Sequence, residues 1–362
     1  MSKYLVTLTP TGKFFFGGDM RFGINGEKEE FSSYIIESLK MPQQTSLLGM
    51  MRFLLLSNSS LFDIAGNVIT GGDEDVEELI GAGSFAVTTD GKSNTFGKIK
   101  SLGPCFVYNK DAKARYFRAA ADSHFATIDW KNATTATING KEVTMPILTL
   151  KDKNGNENPY TSKEYTENYF STPFSQNCEL VKKDELFIKD RRIGIDKDYG
   201  GKSKTNALYK QISYRLKDGF CFAFETEVDD EVKLEEYKEL VSLGADSSIF
   251  IFEATVVTPP DVPLNGTTVV LLSDAYIPEE AEYKFSINKM RTFRFLHTAN
   301  SKDASYYRIN GKTTATTSKR YELYEAGSVF YFEDEKAKKE FCKILESRED
   351  FNLIGYNKYY VK

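Results

Sequence analysis

The stretch PQQTSLLGMMRFLLL, Pro42 to Leu56, sets four hydrogen-bonding side chains, Gln43, Gln44, Thr45 and Ser46, directly before an apolar run of helical character. A helix N-terminus presents unpaired backbone N–H groups and the positive end of the macrodipole, which together attract an anion. Amide side chains placed there add hydrogen bonds to sugar or phosphate oxygens. The same spacing permits an ordinary cap, with Thr45 or Ser46 bonding back to the helix for about 1 kcal/mol. A cap uses one hydroxyl and leaves both glutamines to solvent or to a ligand.

Acid–base and metal chemistry have few bearers. The two histidines are His124 and His297. His297, in RTFRFLHTANSK, lies among basic residues, where an imidazole could serve as acid or base on RNA or simply meet solvent. His124, beside Phe125, reads as packing or surface. Cys105, Cys178, Cys221 and Cys342 lie far apart, with no CxxC or Cys/His zinc spacing. Asp73, Glu74 and Asp75 fit the acidic first turn of a helix better than a metal site. No metal and no cofactor is expected. GGKSK at Gly200–Lys204 and GKS at Gly91–Ser93 echo a phosphate-binding loop. The leading glycine of GxxxxGK[ST] is Asp196 in the first and Ala86 in the second, so a hydrolytic P-loop is not supported. Holding a phosphate without hydrolysis and forming a plain solvated turn both remain open.

The 362 residues suffice for two domains. A hydrophobic share of 41% and a charged share of 27% are those of a globular protein. Cysteine usage and the lack of a leader or of a long apolar run point to a reduced, cytoplasmic protein with no membrane span. Net charge is −5, but the charge is segregated. Val181–Lys217 holds eleven basic and five acidic residues, and Lys284–Arg320 nine basic residues with one acid, Asp303. Glu225–Glu239 holds eight acids and two lysines. One basic face for a polyanion and an acidic face for something else would follow, unless the runs are merely solvated.

These residues need elements to position them. YLVTLTP alternates as a strand, the run after Ser46 is a helix to about Ser57, DEDVEELI a second helix and KIKSLGPCFVY a strand. Asn139-Gly140 between two β-prone runs marks a hairpin, and KDKNGNENPYTSKEYTEN an exposed excursion. DELFIKDRRIGID and ALYKQISYRLK read as strands joined through Gly-Gly-Lys-Ser-Lys, followed by the strand GFCFAFETEV. KLEEYKELVSLG reads as an amphipathic helix, SSIFIFEATVV and TTVVLLSDAYI as buried strands, DEKAKKEFCKILESRED as a helix and LIGYNKYYV as a closing strand. The order fits two α+β units with mixed or antiparallel sheets, dividing near residues 180 to 215.

In order along the chain, LTPTGKFFFGGDMRFG, MPQQTSLLGMMRFLL, LGPCF, RRIGIDKDYGGKSKTNALYKQISYRLKDGF, LLSDAYI, YEAGSVFYF and IGYNKYY resemble the third subunit of the Cmr, or type III-B CRISPR, effector complex, a RAMP-superfamily protein. The resemblance spans nearly the whole chain except residues 110 to 180. It implies an α+β protein of two ferredoxin-like, RRM-related domains with inserted β-hairpins: residues 1–195, with an insertion near 110–180, and residues 196–362. It further implies a non-catalytic subunit for antiviral defence. Such a subunit would bind the 5′ handle of the CRISPR RNA and dock the large polymerase/cyclase subunit, beside a neighbouring backbone RAMP subunit.

Carried over by position, Gln43, Gln44, Thr45 and Ser46 would face the RNA. So would Arg192, Gly194 and Asp196 of RIGID, with Lys202 and Lys204 in the Gly200–Lys204 loop. Gly327 and Ser328 would make a close backbone approach, and the Asn139-Gly140 hairpin would be a thumb. Many members place an arginine after the N-terminal aromatic pair, where this chain has Gly17 and Gly18; Lys13 or Arg21 would substitute. Tyr199, Tyr209, Tyr306 and Tyr307 lie in the basic runs, as stacking rings or as ordinary strand residues. The competing readings are a RAMP endoribonuclease processing precursor CRISPR RNA through His297, and a scaffold that touches protein only.

Overall fold

A computed structural model describes residues 1–18, 20–25, 30–65, 68–92, 95–138, 140–150, 169–175, 177–197, 199–246, 248–258, 266–297 and 316–362. The fold is α+β and sheet-rich. Its described helices are α1 (Gln44–Ser57), α2 (Asp73–Ile80), α3 (Lys183–Leu186), α4 (Glu335–Ser347) and α5 (Glu349–Asn352).

The strand Ser2–Pro10 lies at the centre of the largest sheet, antiparallel to Phe220–Val228 on one side and to Ile249–Val256 on the other. Phe106–Asn109 continues the sheet beyond Phe220–Val228, and Glu239–Ser242 closes its other end. Alternation sends Tyr4, Val6 and Leu8 to one face, where Phe222, Phe224, Phe250 and Phe252 join them and α1 lays Leu47, Leu48, Met51 and Leu55 across them. Phe14 and Phe16 of the triple phenylalanine stack at 4.7 Å and meet Phe222 edge-on, sealing the same core. In the smaller C-terminal sheet, Thr268–Leu271 lies between Val329–Tyr331 and Tyr359–Val361, and Phe285–Ile287 forms an edge. Helix α4 packs Phe341 and Leu345 beneath it.

Every described ladder joins residues within 2–256 or within 268–361, giving two lobes. The outer face of the large sheet, with Leu5, Phe106 and Ala223, is covered by Val270, Leu272, Val329 and Tyr360 of the second lobe. The expected boundary at 195/196 falls inside a hairpin. Phe187–Lys197 pairs with Ser203–Leu216 from Phe187 opposite Leu216 to Ile195 opposite Leu208.

Most elements fall where the sequence puts them, and three depart. KLEEYKELVSLG is a short 3-10 turn, Leu234–Glu236, followed by the strand Glu239–Ser242, because Val241 is drawn into the core opposite Phe250. KIKSLGPCFVY breaks into two strands at Gly103-Pro104-Cys105. Helix α1 begins one turn early, with Gln43 at the N-cap and no side-chain cap bond, so neither Thr45 nor Ser46 caps it. The threonine-rich hairpin pairs Phe125–Ile138 with Lys141–Leu150, while Asn139 and the excursion at 151–168 lie outside the described residues. No described helix is long and apolar enough to cross a membrane.

Arg52 ties α1 to α2. Its guanidinium donates from Nε to the Ile80 carbonyl at 2.8 Å and from Nη2 to the Gly81 carbonyl at 3.2 Å, placing a cation at the negative end of α2. Burial lowers its pKa to about 10. Arg52→Met keeps much of the volume but strips both carbonyls of a charged donor. It should lower stability by about 3 kcal/mol, read as a fall in the urea midpoint.

Candidate nucleic-acid interface

The sequence-predicted residues separate into two groups. Gln43 and Gln44 are buried, Thr45 is half-buried and Ser46 exposed. Neither glutamine faces solvent, as a direct contact with RNA would require. The Gln44 Nε2 amide donates to the Gly103 and Ile354 carbonyls, both at 2.8 Å. Gln43 Oε1 accepts from Arg291 Nη2 at 3.1 Å and from the Tyr356 hydroxyl at 3.2 Å. A tyrosine of the second lobe thus packs at the start of α1 through its bond to the N-cap residue Gln43. The second lobe closes the cluster: Arg291 pairs with Asp274, whose Oδ1 accepts from the Ala326 N–H at 2.9 Å. Burial disfavours the Arg291 charge, but the Asp274 carboxylate outweighs it and raises its pKa.

Backbone shape fits this junction. Gly355 holds φ +91°, and a Cβ there would run into the Gln44 amide and the Gly103 carbonyl. Gly327, at φ +87°, is the close approach the resemblance implies, but it is made against Ala119 and Arg118. The Ser328 hydroxyl donates to the Glu325 carbonyl at 2.7 Å. Segments from MPQQTS, LGPCF, LLSDAYI, YEAGSV and IGYN thus converge on the lobe junction.

The second group gathers on a four-stranded sheet. The hairpin Phe187–Lys197/Ser203–Leu216 joins Glu30–Glu37 in parallel, and Met20–Asn25 completes the sheet. The base of the hairpin is anchored: Leu186, Phe187, Ile212, Tyr214 and Leu216 are buried in the main core. Its outer half is a ribbon exposed on both faces, with Arg191, Arg192, Ile193 and Ile195 all exposed and Tyr199 and Lys202 exposed at the tip. Gly194 lies opposite Tyr209, where a Cβ would collide with the ring. The register sets Arg21 opposite Ile35, which lies opposite Lys210, itself opposite Ile193, so Arg21 shares a row with the ribbon. Lys204 is on the return strand. At the ribbon's base Glu37 accepts from the Tyr214 hydroxyl and pairs with Lys189 at 3.0 Å. Burial opposes its charge, but Tyr214 and Lys189 together hold its pKa below the ordinary value.

His297 stands in a two-residue strand opposite Thr316, and Tyr306 and Tyr307 lie outside the described residues. Among the described residues no three His, Cys, Asp or Glu side chains gather as metal ligands would. Sequence reasoning missed Arg291, Asp274 and Tyr356 as partners of the glutamines. Asp274 and Tyr356 stand in LLSDAYI and IGYNKYY, which carry the resemblance, while Arg291 belongs to the second basic run.

The chain thus combines two sheet-rich lobes with an exposed ribbon that carries Arg191 and Arg192. The model of the family described as CRISPR-associated protein (Cas_Cmr3) matches residues 6–361. The chain belongs to that family, and the resemblance read from its motifs holds. Among solved structures it is similar to a chain in a cryo-EM structure of the Type III-B Cmr-beta bound to cognate target RNA. The identity is 14%, the match covers 99% of this chain and 96% of that one, and the TM-score is 0.47. A second match, in the same assembly with target RNA and AMPPnP, state 1, has 14% identity, 99% and 95% coverage and a TM-score of 0.46. No curated protein matches.

Two outcomes test the junction. Gly355→Ala, which needs a left-handed backbone and displaces Gln44, should cost at least about 2 kcal/mol in urea denaturation, against about 1 kcal/mol for Tyr356→Phe. The second outcome concerns pH. Burial raises the Tyr356 pKa, and burial followed by Glu235 raises that of Tyr4 to about 12 from its ordinary 10.0. Folded values above unfolded ones stabilise fully below pH 10 and are lost as pH rises toward 12. Stability should therefore fall above about pH 10, in step with tyrosinate absorbance, and the fall should be shallower in Tyr356→Phe.

Proposed function

We propose that this chain is the non-catalytic subunit of a type III-B effector that holds the 5′ handle of the CRISPR RNA on its four-stranded sheet. It would also join the large polymerase/cyclase subunit and a neighbouring RAMP subunit to that RNA. The observation that carries the reading is the ribbon: exposed Arg192, Lys202 and the fully exposed Tyr199 ring on a hairpin anchored in the core. Guanidinium and ammonium groups neutralise phosphates, and an exposed ring offers a face for stacking. Ser46, exposed on the first turn of α1, remains a candidate contact, as does Lys204. Gln43 and Gln44 act indirectly, by fixing the junction.

The strand order supports two ferredoxin-like units. In the first lobe, Phe106–Asn109, Phe220–Val228, Ser2–Pro10 and Ile249–Val256 lie in the order second, third, first, fourth, all antiparallel. In the second lobe, Phe285–Ile287, Val329–Tyr331, Thr268–Leu271 and Tyr359–Val361 repeat it. We place the division between residues 257 and 266, with the ribbon as an insertion in the first unit.

Purified chain and synthetic handle RNA test the reading through the salt dependence of affinity. Arg192→Ala and Lys202→Ala should each reduce the slope of log K against log salt by about 0.7 if each contacts one phosphate. A slope unchanged in both would refute contact by the ribbon.

A further inference from the structure

The ribbon's second face carries chemistry that phosphate binding does not use. Successive side chains of a strand point to opposite faces, so Arg191, Ile193 and Ile195 share the face that Arg192 does not. Ile193 is 69% exposed and Ile195 52%. Ile35, level with Ile193 through Lys210, is 37% exposed. Ile193 and Ile195 adjoin along one sheet face as an exposed apolar patch, with Lys210 between it and Ile35, and such a patch marks an interaction surface. They are poor partners for RNA, because a base stacks on a ring and isoleucine has none. Lys189, Arg191 and Lys210 border the strip. The carboxylate beside them, Glu37, is engaged by Lys189 and Tyr214.

We propose that this face docks a protein surface, aliphatic at its centre and rimmed by carboxylates, on a neighbouring subunit of the same effector. The ribbon is then clamped, with RNA on the Arg192 face and protein on the isoleucine face. Basic residues around an apolar strip select an acidic rim by charge complementarity, and they penalise a basic one. The proposal rests on the assembly reading above and adds the surface and its chemistry.

The test uses the full-length chain and an effector reconstituted from its other subunits without it. Ile193→Glu/Ile195→Glu should weaken incorporation by about tenfold or more, and RNA affinity is read on the uncharged Ile193→Thr/Ile195→Thr pair, which should keep it within about twofold. Ile193→Thr/Ile195→Thr keeps β-branching, adds no charge and should weaken incorporation less. Arg191→Glu should weaken incorporation and flatten its salt dependence. These two variants decide the matter if the glutamate pair misfolds by circular dichroism. Unchanged incorporation in the folded variants overturns the proposal. So does lost RNA affinity with incorporation intact, which would give the face to RNA, or loss of a wild-type dimer with incorporation intact, which would give it to a second copy. Arg192→Ala separates the two readings. It should reduce RNA affinity and leave subunit docking in place, so each can fail without the other.

Discussion

The buried hydrogen-bond cluster between the lobes constrains everything else. Gln43, Gln44, Asp274, Arg291 and Tyr356 come from three distant parts of the chain, the glutamines and the tyrosine buried and the Arg291–Asp274 pair partly so. A buried polar group without a partner costs about 1–3 kcal/mol, and more when charged. Parting the lobes would break the Gln43 bonds to Arg291 and Tyr356 and the Gln44 bond to the Ile354 carbonyl together. The Arg291–Asp274 pair contributes little net stability against an apolar replacement, but losing one partner would leave a buried charge. Such a cluster selects one arrangement of the lobes over similar ones.

That arrangement explains a contrast between the two large sheets. In the nine-stranded sheet both faces are used at the centre: α1 covers Val6 and Leu8, and the second lobe covers Leu5 and Ala223. Leu5 is apolar at an alternate position of its strand for this reason. Among the described residues nothing covers the outer half of the four-stranded sheet, although its base is packed on Phe170 and Phe222. Its exposed arginines and isoleucines therefore stand on a support anchored in the main core.

Much of the fold was legible locally. Alternation found Ser2–Pro10, the turn residues found both long hairpins, and the acidic first turn marked α2. The basic run from Val181 to Lys217 is the ribbon and its base. What was not legible depends on contacts far apart in sequence. KLEEYKELVSLG satisfies a helical period, and only pairing with Ile249–Val256 makes its last residues a strand. The polar cluster before α1 announced that hydrogen bonds would be made there, but not with what. A ligand and a carbonyl 310 residues away make the same demand on Gln44. Exposed isoleucines beside arginines look in sequence like any strand, and only accessibility separates Ile193 from Ile212.

The overall charge of −5 does not weigh against RNA, because much of the acidic run is engaged where it lies. Glu225 pairs with Arg115, Asp229 with Lys100, Asp230 with the N-terminal amine and Glu231 with Lys98. Paired charges present a weak field beyond a Debye length of about 8 Å in physiological salt. A strand 11 residues long, at roughly 3.3 Å per residue, carries the ribbon tip several such lengths from its base. A phosphate arriving there meets Arg192 and Lys202 in a stretch that also holds Asp196 and Asp198, and is screened from the distant acids. The local balance of charge at the tip, rather than the net charge of the chain, sets the field that an approaching polyanion meets.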